Sequence, residues 1–428
     1  MSPEPVVPPP SATPTLTTPV TPTERIHTLD ILRGLAVLGM ILVHFHFYAN
    51  EFHDLPANPR TALETVISWA IWILVETKSA GTFAFLFGVG FAIQLQRSEA
   101  RGARFLPLYL RRLLVLALFG FAAHALFGYN VLLGYAYAAL WLLPVRKWPT
   151  QALLAAAVVS AMLPSLYSTG RHAYDRATMG PDRAIAVEEA RLEAWQQRAR
   201  DINARLEAAE EQPSYSITVR ARLNHMRWFY AQRWFILPGY TLCLFLLGML
   251  ALRCGLLEDP RRWTRVIVGF MIFGVVSLVS ERWLRPLMEE GSANPTGLSN
   301  QAQWALGLFD EGMLAFTYMG ALLLFLAWRS AWVARLGPMA WVGRMALTNY
   351  LLQIMILDVL FAGYGLDLKI RDAMVAPATL VLFAGEVTLS RFWLGRFRFG
   401  PAEWLWRSLT YGRMQPLGLA KPGVAVAS

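Results

Sequence analysis

The stretch from Leu29 to His44 constrains everything around it. It opens the first long apolar run of the chain, yet it begins with Asp30 and Arg33 and closes on His44. At about 100° per residue, Asp30, Arg33, Val37, Ile41 and His44 fall on one stripe of a helix. From Asp30 to His44 is four turns, about 21 Å at the α-helical rise, most of a hydrocarbon core about 30 Å thick. Three ionisable groups on one stripe of a membrane helix must face protein or water, because lipid makes each cost several kcal/mol. The rest of the chain is therefore expected to shelter this stripe.

Composition agrees. Of 428 residues, 55% are hydrophobic and only 16% charged, with 16 Trp and 24 Phe, which describes a polytopic membrane protein and excludes a soluble one. A net charge of +10 would point to nucleic acid in a soluble chain. Here the arginines cluster in short loops between apolar runs, so the charge sets topology and no nucleic-acid partner is expected. Cys243 and Cys254 lie in or beside one apolar segment and imply no disulfide framework, and no CxxC or HExxH spacing marks a metal site.

Residues 1–24 are rich in Pro and Thr and are expected to be a disordered tail. Without a basic n-region they do not read as a cleavable signal, so the helix at about 29–48 is expected to be an uncleaved anchor. Residues 63–95 are too long for one straight span and are interrupted at Lys78-Ser79-Ala80-Gly81. Two full crossings would place the Arg97–Arg112 cluster outside, so one broken or partly re-entrant crossing is expected. Further crossings are expected at about 107–127, 131–145, 150–167, 235–253, 263–281, 305–328, 345–363 and 373–394. The fold class predicted is all-α: a polytopic helical bundle of about ten transmembrane helices, with both termini cytoplasmic. An N-terminal bundle over 25–167 and a C-terminal one over 235–395 flank a polar, mixed-charge insertion at 168–234, expected outside as a helical hairpin. Residues 396–428 read as an interfacial tail, with Trp at the headgroups and Arg toward anionic lipid. No internal repeat is evident.

Several residues are candidates for chemistry, each with a plainer alternative. His44 is either a hydrogen-bonded bundle contact or a general base, since an imidazole near neutral pH can take a proton from a hydroxyl or amine. His46 and His53 are interfacial or relay residues. Asp30 and Arg33, three apart, form an ion pair, or Arg33 holds a phosphate of a cytoplasmic donor. Lys78 snorkels or charges a cavity. His124 is a satisfied buried histidine or a cavity residue. Asn349, Tyr350 and Gln353 make interhelical hydrogen bonds or line a site. Phe83 to Gly90 reads as close helix packing and not as a phosphate loop.

Leu29 to Gly34, the Lys78–Gly90 segment, Gly343-Arg344-Met345-Ala346-Leu347-Thr348-Asn349-Tyr350-Leu351-Leu352-Gln353 and Gly400-Pro401 through Arg407 together resemble the YeiB family of bacterial inner-membrane proteins, from about residue 25 to 415. The first helix is also similar to those of two transmembrane acyltransferase groups, the O-acyltransferases of surface polysaccharides and the heparan glucosaminide N-acetyltransferases. In the former, an LDxxR start is followed fourteen residues after the Asp by a His regarded as catalytic, which matches Asp30 and His44. YeiB-like proteins usually carry Asn at the position of His44, and the acyltransferases' further Arg motif has no clear counterpart here. The resemblance implies a bacterial inner (plasma) membrane location, an acyl-CoA donor such as acetyl-CoA on the cytoplasmic side, and a small-molecule or glycan acceptor reached from the other side. In that reading His44 and Asp30 are catalytic, and Arg33, Lys78, His124, Asn349 and Gln353 bind substrate, with no metal. Two other readings stay open: a transporter or lipid-handling protein using the same stripe, and a membrane scaffold acting through its outside hairpin.

Overall fold

The computed structural model describes residues 27–53, 57–102, 104–128, 130–233, 239–289 and 311–419. The expected Pro/Thr tail, the start of the 305–328 crossing and the last nine residues lie outside them. Helices dominate: α1 His27–His53, α2 Ala62–Leu74, α3 Glu76–Ala100, α4 Phe105–Phe127, α5 Leu132–Leu140, α6 Leu142–Val145, α7 Thr150–Met179, α8 Pro181–Glu210 and α9 Tyr215–Arg233. They continue as α10 Gly239–Arg253, α11 Thr264–Glu289, α12 Ala315–Trp328, α13 Ala331–Arg335, α14 Gly337–Arg344, α15 Ala346–Phe361, α16 Asp372–Leu394 and α17 Pro401–Tyr411. The described residues contain no strand, only an isolated bridge between Phe397 and Gly418.

Among the described residues, four helices are long and apolar enough to cross a membrane: α1, the α2–α3 stretch Ala62–Ala100, α4 and α16. Two bent pairs raise the number to six, one within α7 at 56° and one of 80° between α14 and α15. Gly239–Arg253, Thr264–Ser280 and Ala315–Trp328 are shorter apolar helices. The expected ten crossings therefore do not all appear as helices that reach across by themselves. The segment expected to cross at 131–145 is two short helices, α5 and α6, meeting at Trp141. The stretch at 63–95 is one apolar unit broken at Val75, whose ψ of −39° comes with a φ of −127°.

Local chemistry explains the main boundaries. α2 starts on a capping box: Thr61 Oγ1 accepts from the Glu64 N–H and Glu64 Oε2 accepts from the Thr61 N–H. α7 passes into α8 through Gly180, at φ 85°, a conformation that favours glycine, and Pro181 then pre-sets the first turn.

α1 is the central element, with α2, α3, α12, α14, α15 and α16 packed around it. Two reciprocal glycine pairs let backbones meet. A Cβ on Gly343 would lie 1.8 Å from the Asp30 carbonyl oxygen, and one on Gly34 would lie 2.0 Å from that of Met339. In the same way a Cβ on Gly88 would meet the Phe245 carbonyl at 1.9 Å, and one on Gly248 that of Phe85 at 2.0 Å. Small residues at such crossings give membrane helices the van der Waals contact that hydrophobicity does not supply in lipid. The Phe83–Gly90 segment thus packs α3 on α10. The 168–234 insertion is α8 and α9 following the end of α7, and it is fastened to the bundle: the Gly363 N–H donates to the Glu210 carbonyl at 2.7 Å.

Candidate functional site

Along α1, Asp30 and Arg33 pair at 2.6 Å through Nη1 and Oδ1, with Asp30 buried and Arg33 part-exposed. Val37 and Ile41, the next members of the stripe, are fully buried. At the far end His44 lies with its ring centroid 5.9 Å from that of Tyr350, tilted by 47°. Tyr350 Oη accepts from the Val131 N–H at 3.2 Å, which ties α15 to the start of α5. His44 Nδ1 is buried and has no hydrogen-bond partner among the described residues. An imidazole nitrogen left uncommitted inside a polar stripe is what a proton acceptor requires.

His124, on α4, is buried with its ring stacked 6.1 Å from that of His225 on α9. Its neighbour Ala123 joins Met40, Tyr350 and Ile354 in one apolar cluster, so His44 and His124 border the same group of side chains. On α15, Asn349 Nδ2 donates to the Val342 carbonyl at 3.2 Å and to Ser390 Oγ at 3.0 Å. Asn349 Oδ1 and both ends of the Gln353 amide are buried without partners among the described residues.

Lys78 is buried as well, but it belongs to another place. It lines a cavity with Leu35, Gly39 and Leu42 of α1. Gly39 and His44 are five residues apart, about 140° around the helix. Lys78 therefore sits across α1 from the Asp30–His44 stripe, and one pocket cannot join them, which separates it from the expected substrate-binding set. His46 and His53 also belong elsewhere. His46 Nδ1 pairs with Asp372 Oδ1 at 3.2 Å, Arg60 Nε donates to Asp372 Oδ2 at 2.6 Å, and Arg371 clasps Glu64 through two bonds of 2.7 Å. His53 Nδ1 meets the Asn58 carbonyl at 2.8 Å. This network fastens the His53 end of α1 to α2 and α16.

The sequence alone gives Arg112 only a topological role and assigns none to Glu386, Arg222 or Asp358. Arg112 stacks its guanidinium 4.1 Å over Trp406 and lies within electrostatic reach of Arg33, so two cations share the Asp30 end of the bundle. Glu386 is buried in α16 with neither carboxylate oxygen partnered among the described residues. Arg222 of α9 pairs with Asp358 of α15 at 2.6 Å and with Glu210 of α8 at 2.9 Å. Arg112 is the second of two adjacent arginines, and Glu386 and Asp358 are single acids in apolar helices, which is a readable signal. The partner of Arg222 is 136 residues away, beyond any local spacing.

Residues 251–413 match a family described as a protein of unknown function (DUF418). An uncharacterised protein of Escherichia coli (strain K12), YeiB, is 29% identical over 425 residues, spanning 90% of this chain and 96% of that one. The chain thus resembles YeiB over most of its length. YxaH of Bacillus subtilis (strain 168), also uncharacterised, is 28% identical over 430 residues, covering 95% and 98% of the two chains. A 39.9 kDa protein of Bacillus acidopullulyticus is 28% identical over 419 residues, covering 94% and 99%. Residues 25–180 match a family described as the catalytic region of heparan-alpha-glucosaminide N-acetyltransferase, so the first part of the chain is similar to that acetyltransferase region, and its apolar helices fit a membrane protein. That match contains Asp30, Arg33, Arg112, His44 and His124. No solved structure matches the chain.

Proposed function

We propose that this protein is an integral membrane acyltransferase. It would move an acyl group, acetyl in the simplest case, from a CoA thioester to a hydroxyl or amine acceptor on the other side. The observation that carries the reading is His44: an uncommitted buried nitrogen, four turns beyond an Asp30–Arg33 pair, inside the acetyltransferase-like region. Arg33 and Arg112 would bind the phosphates of the donor at the Asp30 end, and Asp30 would hold Arg33 in place. The acceptor's nucleophilic oxygen or nitrogen would attack the thioester carbonyl while His44 takes its proton, and the CoA thiolate would leave. His124 borders the same cluster, and Asn349 and Gln353 would offer hydrogen bonds from α15. This reading places the Asp30 end and both termini on the cytoplasmic side of a bacterial inner membrane, consistent with arginine-rich loops at one end. A small molecule or a glycan would serve as acceptor, with membrane lipids around the bundle.

The test is acetyl-CoA binding to the purified protein in nanodiscs, with slow acetyl-CoA hydrolysis as a second readout. Arg33→Ala should weaken binding about tenfold, the scale of one charge-assisted phosphate contact. No binding to a well-folded wild-type sample would end the acyl-transfer reading in favour of transport.

A further inference from the structure

α15 and α16 meet along α1 in a seam of buried polar side chains. Asn349 Nδ2 donates to Ser390 Oγ at 3.0 Å, which sets the register of the two helices. Further along, Leu357 of α15 and Phe383 of α16 share one apolar cluster with Val37 and Ile41 of α1, so α15 and α16 run in opposite directions. Gln353 is one turn on from Asn349, and Glu386 is one turn back from Ser390, which brings both to the level between those two contacts. Gln353 is 0% exposed and Glu386 1%. Both oxygens of Glu386, both ends of the Gln353 amide and Asn349 Oδ1 have no hydrogen-bond partner among the described residues. The seam faces the part of α1 between Arg33 and His44, where Val37 and Ile41 stand.

We propose that Glu386 and Gln353 form a proton-binding site, with the proton on the Glu386 carboxyl. Hydrogen-bond stoichiometry carries this. The five unpartnered atoms are four acceptors (the Glu386 oxygens, Gln353 Oε1 and Asn349 Oδ1) and one donor, Gln353 Nε2 with its two hydrogens. One proton on Glu386 gives three hydrogens for three acceptors. The carboxyl O–H then donates to Gln353 Oε1, while Gln353 Nε2 donates to the other Glu386 oxygen and to Asn349 Oδ1. An ionised Glu386 leaves two acceptors orphaned inside the bundle, where an unpaired charge is most costly. The basic groups on the elements around it are Arg33, His44, Lys78, Arg344 and Arg391, and none pairs with Glu386 among the described residues. The acids Asp30, Glu64, Asp358 and Asp372 each pair with an arginine. Because the seam is closed, the proton leaves only when α16 separates from α15 and α1, so proton release reports opening of the stripe. The site takes no part in the chemistry at His44 and stands whether or not the acyl-transfer reading does.

The experiment is infrared difference spectroscopy of the full chain in an ester-free detergent at neutral pH. The carbonyl stretch of a protonated carboxyl should be present in the wild type and absent from Glu386→Gln. Gln353→Leu should keep that band but move it to the position of a more weakly hydrogen-bonded carboxyl, and it carries the test by itself if Glu386→Gln does not fold. Linkage gives a second readout, because the folded chain keeps a proton that an unfolded glutamate has lost above about pH 5. Raising the pH should therefore disfavour the folded wild type against Glu386→Gln by up to about tenfold per pH unit. The gap between their melting temperatures should widen from about pH 6 to about pH 8. Loss of carboxylate bands in place of the carbonyl stretch, or a gap that does not change with pH, overturns the proposal. An unmoved band in Gln353→Leu also overturns it, since the proton would then lack its partner. So does a wild type that sodium chloride alone, and not choline chloride, protects from melting, because the occupant would then be a metal cation.

Discussion

His44 Nδ1 and the Glu386 carboxylate are both buried and unpartnered among the described residues, and they differ in how the sequence announces them. His44 was legible because it shares a helical stripe with Asp30 and Arg33, a relation fixed by local geometry. Glu386 sits seven and fourteen residues from Thr379 and Asp372, so the three line one buried face of α16, yet a lone acid in an apolar run is easily passed over. If His44 is the base, His44→Asn should leave a folded, monodisperse protein that still binds acetyl-CoA. Acyl transfer should fall at least a hundredfold, the usual size of a general-base contribution, and full turnover in that variant would remove the assignment. Glu386 has no ion pair to lose among the described residues. Glu386→Gln should therefore leave thermal stability unchanged or raise it by about 1 kcal/mol, by removing a buried group that can ionise. A clear drop in melting temperature would reveal a partner for the carboxyl.

Among the elements, periodicity placed the long helices well: α1, α4 and α16 lie close to their expected crossings. Where reading failed, backbone breaks were responsible. Residues 131–145 divide at Trp141, where Pro144 has no N–H to donate to the carbonyl of Leu140, the last residue of α5. The hairpin of α8 and α9 was recognisable from its Ala, Glu and Arg content, but its attachment was not. Arg222, buried, joins Asp358 and Glu210 and donates to the Leu126 carbonyl at 2.7 Å, so one side chain holds α4, α8 and α15 together. Arg222→Ala would leave Asp358 buried without its cation, at a cost of about 3–5 kcal/mol. Hydrogen exchange should then show α8 and α9 opening well before α1 does, and unchanged protection there would mean that apolar contacts hold the hairpin.

For the whole molecule, the orientation expected from the arginine-rich loops is testable with reporter fusions. A fusion at Arg101 should report the cytoplasm and one at Gly128 the opposite side, as a single passage through Ala62–Ala100 and then α4 requires. Finding both on one side would make the α2–α3 break a re-entrant turn. The central position of α1 also bears on how the protein is made. The helix around which the bundle forms leaves the ribosome first, while α14, α15 and α16, which cover it, follow roughly 300 residues later. At about 5–20 residues per second, Asp30, Arg33 and His44 spend on the order of 15–60 s in or near the bilayer before their covering helices exist. During that interval some other agent, the insertion machinery or a chaperone, has to occupy that face, and chains truncated before Gly337 should be quality-control substrates from the moment of release.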